Sequence, residues 1–131
     1  MSALVLDAGA LVAIDKGERA VLAEVGRALR SRQPVRTNAM ALAQAWRDGG
    51  GRQATLARAL RDITVESITG EDGMRAGELL GRARLRDAID ASVALLAGPG
   101  DRVLTSDPGD CGGCVTRRET RPWWSIADGR G

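Results

Sequence analysis

Five aspartates are the residues of this chain that are best suited to chemistry. Asp7 and Asp107 each stand at the end of a predicted strand. Because the carboxyl ends of parallel strands meet at one edge of a sheet, we expect both in the same crevice. Asp87 and Asp90 lie three residues apart on a predicted helix and share one face. Asp110 follows Asp107 by three residues and would open the next helical turn.

Carboxylates that gather in one crevice repel one another, so this set predicts a bound cation. Mg²⁺ and Mn²⁺ prefer such oxygen ligands. One ion, or two about 4 Å apart, can activate water and hold a phosphodiester in line for attack. The alternative interpretation is structural: Asp7 and Asp107 would cap helices, and Asp87 and Asp90 would lie on a solvated helix face. For the set as a whole, the two positions at strand ends favour the metal site.

The composition excludes several other kinds of site. The chain has no histidine, which excludes histidine acid–base catalysis, a Ser-His-Asp triad and a histidine-ligated zinc. Cys111 and Cys114 form one Cys-x-x-Cys pair without a second half, so we expect two free thiols in a reducing cytoplasm. With no Phe or Tyr, an aromatic platform for stacking bases is not expected. No long apolar run or signal-peptide pattern is present, so we expect a cytoplasmic protein with no membrane partner.

Other acidic α/β sites fit the residues less well. A haloacid-dehalogenase-like phosphatase needs a second Asp two residues after the first, where this chain has Gly9. A response-regulator receiver needs a Lys after a late strand, and no Lys follows Lys16. A dinucleotide-binding fold needs a Gly-rich turn after the first strand, which Asp7–Ala10 does not provide.

The elements that would position these acids alternate along the chain, as expected for one domain of 131 residues. Short apolar or alternating runs predict strands at residues 3–6, 35–37, 63–68 and 102–105. Apolar stripes, caps and breakers predict helices at residues 8–14, 20–32, 39–47, 52–61, 69–83 and 87–96, with Asn38 as the cap of the third. This alternation predicts an α/β fold with a mostly parallel sheet and helices on both faces. This alternation of strands and helices does not continue after residue 110.

Four fragments resemble the PIN domain family, and specifically its VapC-type ribonuclease toxins. They are Leu-Val-Leu-Asp-Ala-Gly-Ala-Leu at 4–11, Ala-Leu-Ala-Gln-Ala-Trp-Arg at 41–47, Asp-Ala-Ile-Asp-Ala at 87–91 and Val-Leu-Thr-Ser-Asp-Pro-Gly-Asp at 103–110. The resemblance covers about residues 3–110 and implies a three-layer α/β/α sandwich that cleaves RNA with Mg²⁺ or Mn²⁺. It implies that Asp7, Asp90 and Asp107 are the catalytic metal ligands. Gln44, Asp87 and Asp110 would support these ligands, and Arg47 or Arg86 would contact the phosphates of the RNA. It also implies a cognate antitoxin as partner and a homodimer.

Two features depart from the family pattern. Gln44 stands where the family has Glu; its carbonyl oxygen can coordinate a metal but brings no charge. Residues 111–131 form a divergent tail in place of a helix and a last strand, and Arg121–Ser125 does not suit such a strand. A one-base frameshift near codon 110 is one explanation, because with a plausible codon choice the neighbouring frame encodes an amphipathic helix and a strand. Both departures favour the alternative function, a non-catalytic or decayed PIN-like module that only binds a protein partner.

Overall fold

The computed structural model describes residues 2–47, 52–83, 87–106 and 115–119. Five strands form one sheet in the order β3-β2-β1-β4-β5. The first four pair in parallel, and the fifth pairs antiparallel with β4. The strands are β1 Leu4–Leu6, β2 Val35–Asn38, β3 Thr64–Glu66, β4 Arg102–Ser106 and β5 Val115–Glu119. This confirms the predicted α/β fold with a mostly parallel sheet.

Six α-helices connect these strands, and a 3-10 turn at Leu60–Asp62 follows the fourth helix. The helices are α1 Ala8–Asp15, α2 Arg19–Arg30, α3 Ala39–Ala45, α4 Ala54–Ala59, α5 Gly70–Ala83 and α6 Ala88–Ala94. Every predicted helix is present, with ends that differ by one to a few residues. None of the helices in the described ranges is long and apolar enough to cross a membrane.

Helices pack on both faces of the sheet. Val35 and Arg102 both pair with Leu4, so their side chains share one face. There Arg102 reaches Glu24 of α2, with 3.7 Å between Nη1 and Oε2. Asn38 lies three residues after Val35 and therefore projects from the opposite face, where its side chain contacts α6.

Among the described residues, two apolar clusters of unequal size hold these layers together. The larger, which we call the main core, contains all of β1 and most of the buried side chains of α1 and α2, with members from β2, β4, α3, α4 and α6. β1 is apolar at every position because both of its faces are covered. The smaller, the α5–α6 cluster, consists of Ala76, Leu79 and Ala91, with Leu80, Ala94 and Leu95 packed against them.

The structure corrects the predicted face of α2. The sequence of α2 has apolar residues at helical spacing, Val21, Leu22, Val25 and Leu29, which predict one buried stripe. Leu22 and Leu29, however, are each 37% exposed. The buried face instead contains Val21, Val25 and Ala28 together with the charged Glu24. Glu24 is buried because its carboxylate pairs with Arg27 at 2.6 Å and with Arg102.

The two outer strands also differ from expectation. The predicted strand at 63–68 is shortened to the three residues of β3, and its Thr64 and Val65 are exposed because β3 is an edge strand. We expected the tail after residue 110 to lack the last strand of the family pattern, yet β5 pairs with β4 from Arg102↔Glu119 to Ser106↔Val115. The proposed frameshift therefore does not leave β4 without an edge partner. Residues 111–114 and 120–131, with both cysteines, lie outside the described residues.

Candidate metal centre at the carboxyl edge of the sheet

Asp7 lies where β1 ends and α1 begins, at what we call the carboxyl edge, the edge where the four parallel strands end. Its Oδ1 accepts a hydrogen bond of 2.8 Å from the backbone N–H of Ala10. Its own backbone N–H donates to the carbonyl of Leu104 at 3.3 Å, which ties it to neighbouring β4. The interpretation of Asp7 as a helix cap is therefore correct. A cap does not exclude a ligand role, because a carboxylate has two oxygens with about four lone-pair sites.

Asp87 caps α6 in the same manner. Its Oδ1 accepts a hydrogen bond of 2.7 Å from the backbone N–H of Ile89, and its side chain is half-buried. We expected Asp87 and Asp90 on one helix face, but α6 begins at Ala88, so Asp87 precedes the helix. Asp90 is the third residue of α6, and its side chain lies outside the described part of the structure.

A buried polar pair joins the end of β2 to α6. The predicted cap at Asn38 is confirmed, since its Oδ1 accepts a hydrogen bond of 2.8 Å from the backbone N–H of Ala41. The Nδ2 of the same side chain donates to the Oγ of Ser92 on α6 at 2.8 Å. The Ser92 hydroxyl in turn donates to the carbonyl of Ile89 at 2.6 Å. The amide of Asn38 thus caps α3 and holds α6 at the same time.

A second buried hydroxyl joins β1 to β2 at the same edge. Thr37 is fully buried, and its Oγ1 donates to the carbonyl of Leu6 at 2.9 Å. Leu6 directly precedes Asp7, and Thr37 directly precedes Asn38. The two hydrogen bonds therefore bring the end of β1, the end of β2 and α6 to one edge of the sheet.

Sequence reasoning found Asn38 as a cap but missed Thr37 and Ser92 and the contact that Asn38 makes with Ser92. The sequence did contain one signal for this contact: Thr37 and Asn38 are polar residues at the end of a strand that is otherwise expected to be buried. Ser92 gave little signal, because serine within an alanine-rich helix is common on exposed faces.

Gln44 and Arg47 lie at the other end of α3. Gln44 is half-buried in the last turn of the helix. The Arg47 side chain is exposed, and its Nη1 donates to the carbonyls of Ala43 at 2.9 Å and Trp46 at 3.0 Å. These bonds satisfy carbonyls at the end of α3. They give Arg47 a structural role that was not predicted, and its phosphate role stays a prediction.

Gln53 is a further structural residue that the sequence did not reveal. It is buried, its Oε1 accepts from the backbone N–H of Arg47 at 2.8 Å, and its Nε2 donates to the carbonyl of Ala45 at 2.9 Å. The same nitrogen lies 3.3 Å from Oδ2 of Asp15 at the end of α1. Gln53 therefore joins the ends of α1 and α3.

Three of the predicted site residues, Asp107, Asp110 and Arg86, lie outside the described residues. Among the residues that are described, no group of three or more His, Cys, Asp or Glu side chains is arranged to hold a metal ion. Comparisons with protein-family models, with curated proteins and with solved structures found no match. Function is therefore inferred from the residues at the carboxyl edge and from the resemblance of the sequence fragments.

Proposed function

We propose that the protein is a divalent-metal-dependent endoribonuclease with a PIN-like fold, similar to VapC-type toxins and acting in the cytoplasm. In this proposal Asp7, Asp90 and Asp107 hold Mg²⁺ or Mn²⁺, and Gln44, Asp87 and Asp110 support them. One observation supports this proposal above the others. The hydrogen bond from Thr37 to Leu6, which precedes Asp7, and the bond from Asn38 to Ser92 of α6 join β1, β2 and α6 where the parallel strands end.

The chemistry of this edge suits a hard divalent cation. Asp7 and Asp87 offer carboxylate oxygens. The proposal adds the amide oxygen of Gln44, from the last turn of α3. Such an ion would neutralise charge on a phosphate and lower the pKa of a bound water. The pairing of Leu6 with Leu104 makes β4 the parallel neighbour of β1. Asp7 and Asp107 therefore follow adjacent strands in the sequence.

The chain holds two of these carboxylates in fixed orientations. The bond from Ala10 N–H restrains Asp7, and the bond from Ile89 N–H restrains Asp87. Carboxylates that are oriented before a ligand arrives lose less freedom when they bind it. In the proposed reaction these carboxylates would hold the cation, and the cation would help to place the attacking water opposite the leaving oxygen at phosphorus.

Cleavage of a labelled single-stranded RNA tests the proposal. The wild type is expected to cleave it with Mn²⁺ and to stop when the cation is chelated. Asp7→Asn is the decisive variant, because asparagine is as good a helix cap as aspartate and removes the charge while the fold is kept. Asp62→Asn is the matched control, since Asp62 is an exposed aspartate of the 3-10 turn. Cleavage by Asp7→Asn at the wild-type rate would overturn the proposal.

Gln44 favours a second candidate, a non-catalytic module that only binds a protein partner. An uncharged amide at this position gives the edge one carboxylate fewer than the family pattern. The proposed partners, an antitoxin and a second copy of the chain, suit either function and follow from the resemblance alone. Metal dependence separates the two: the enzyme requires the cation, whereas the module binds its partner equally well in a chelator.

A further inference from the structure

The pair Asn38–Ser92 is the buried polar link between the sheet and α6. Asn38 is 1% exposed and Ser92 is 9% exposed. The Asn38 side chain uses both of its polar atoms, one toward Ala41 and one toward Ser92. A hydrogen bond between buried groups is directional, and it fixes one relative placement of the two elements.

The apolar contacts of α6 are divided between two clusters. Val93 is buried in the main core, and Ile89 packs against that core. Toward α5, the buried residue of α6 is Ala91, which meets Ala76 and Leu79. Alanine side chains give little shape to an interface, so this second contact tolerates small rotations and shifts of one helix against the other. Apolar contacts therefore hold α6 on the sheet, and the hydrogen bond to Ser92 adds a directional restraint beside them.

We propose that Asn38 and Ser92 are positioning residues that set the placement of the acidic start of α6 relative to Asp7. This inference rests on the proposed metal site. Ser92 lies in the short helix α6, two residues after Asp90 and five after Asp87, the N-cap of that helix. Thr37 fixes the end of β2 to Leu6, next to Asp7. Any shift of α6 that follows loss of the Ser92 hydroxyl changes the separation between Asp87 and Asp7.

Titration with Mn²⁺, followed by calorimetry, tests this role in the full chain. Residues that orient metal ligands typically change metal affinity by about 10- to 100-fold when they are removed. We expect Ser92→Ala to weaken Mn²⁺ binding by about tenfold or more. Asn38→Ser keeps a competent helix cap but shortens the side chain that reaches Ser92, and we expect a similar loss. The double variant should bind no more weakly than either single variant, because both remove one interaction.

Thr69→Ala is the control for a merely structural effect. Thr69 caps α5, so its loss loosens the same α5–α6 region without touching the link to Asn38. Its Mn²⁺ affinity should stay within about twofold of the wild type, well short of the loss expected for a ligand-orienting residue. Equal affinities for Ser92→Ala and the wild type would overturn the inference, and so would equal losses for Ser92→Ala and Thr69→Ala.

Amide hydrogen exchange separates this inference from the proposed function. If the wild type binds no Mn²⁺, the proposed metal site is wrong. Hydrogen exchange still tests whether Asn38 and Ser92 position α6, because it requires no bound metal. Ser92→Ala should speed exchange in α6 by about tenfold more than in α5, because the restraint that is lost acts on α6. Uniform acceleration in both helices would overturn the positioning role.

Discussion

The two regions that carry the acidic residues are built in different ways. Asp7 follows β1, whose three residues are at most 1% exposed and lie in the centre of the main core. Asp87 precedes α6, which packs on α5 through a cluster of two alanines and one leucine and contributes only Val93 as a buried large side chain to the main core, among the described residues. Apolar packing of large side chains therefore places Asp7, whereas the placement of Asp87 depends more on hydrogen bonds. A site shared between the two regions combines a rigid side with a side that depends on a few polar contacts.

The same substitution in each region gives the largest expected contrast. Leu11→Ala removes most of a fully buried side chain of α1 and leaves a cavity in the main core, so it should lower the free energy of unfolding by about 3–5 kcal/mol. Leu79→Ala, in the smaller cluster of α5, should cost about 2 kcal/mol, because α5 can relax toward α6. Urea unfolding measures both. Equal costs would show that the α5–α6 region is packed as firmly as the main core.

Gln53→Met tests whether the part of the protein around the main core also depends on polar contacts. The substitution keeps the length of the side chain but removes the bonds to Ala45 and Arg47, so buried backbone groups lose their partner. The expected cost is about 1–3 kcal/mol. Gln33→Met, at a half-buried amide, is the control and should cost less. A cost below that of the control would mean that apolar packing alone holds the ends of α1 and α3.

The start of α5 should contribute a smaller, pH-dependent amount. Thr69 and Asp72 form a reciprocal cap, with bonds of 3.0 and 3.1 Å, and Thr69→Ala should cost about 1 kcal/mol. The backbone N–H of Thr69, and then its hydroxyl, lower the pKa of Asp72 below its ordinary value of 3.8. The stabilisation is therefore complete above about pH 4 and is lost as the pH falls through the lowered pKa. Urea unfolding of Asp72→Asn and wild type should show a difference in stability at pH 6 that narrows as the pH falls below 3.8.

Glycine substitutions give the smallest expected effects, with opposite signs in the two regions. Gly77 lies within α5, with no atom within 4 Å of an added Cβ, so Gly77→Ala should stabilise by about 0.5–1 kcal/mol. Gly17 ends α1 with a φ of 72°, a conformation that favours glycine, and Gly17→Ala should destabilise by about 1 kcal/mol. Thermal melts of the two variants should shift in opposite directions. A loss of stability in Gly77→Ala would mean that the exposed face of α5 needs its glycines.

Local patterns along the chain predicted the elements and their order but not their long-range contacts. The apolar run of β1, the cap at Asn38 and the alternation of strands and helices were visible because each depends on neighbours in the sequence. The bond from Asn38 to Ser92 spans 54 residues, and no local pattern signals it. The same limit applies to Glu24, a buried charged residue whose partner Arg102 is far along the chain. β5 was missed because its sequence, Val-Thr-Arg-Arg-Glu, has little apolar content to mark a strand.

The candidate site shows the same difference between local and long-range features. Sequence alone indicated Asp7 as a metal ligand or a helix cap and Asp87 as part of a helix, and in the structure both cap helices. Thr37 and Ser92 were missed because their roles depend on burial, which the identity of a hydroxyl side chain does not reveal. The roles of Asp7, Asp90 and Asp107 as metal ligands, and of Gln44, Asp87 and Asp110 as supporting residues, stay predictions.

A thermal melt with increasing Mn²⁺ tests the central claim, an acidic metal site at the carboxyl edge, most directly. A cation that binds only the folded state at a hundredfold excess over its dissociation constant adds about 2.7 kcal/mol of stability. For a chain of this size that raises the melting temperature by several degrees. We predict this rise for the wild type and for Asp62→Asn, and its loss in Asp7→Asn. A cooperative melt that does not respond to Mn²⁺, or an equal rise in Asp7→Asn, would contradict the claim.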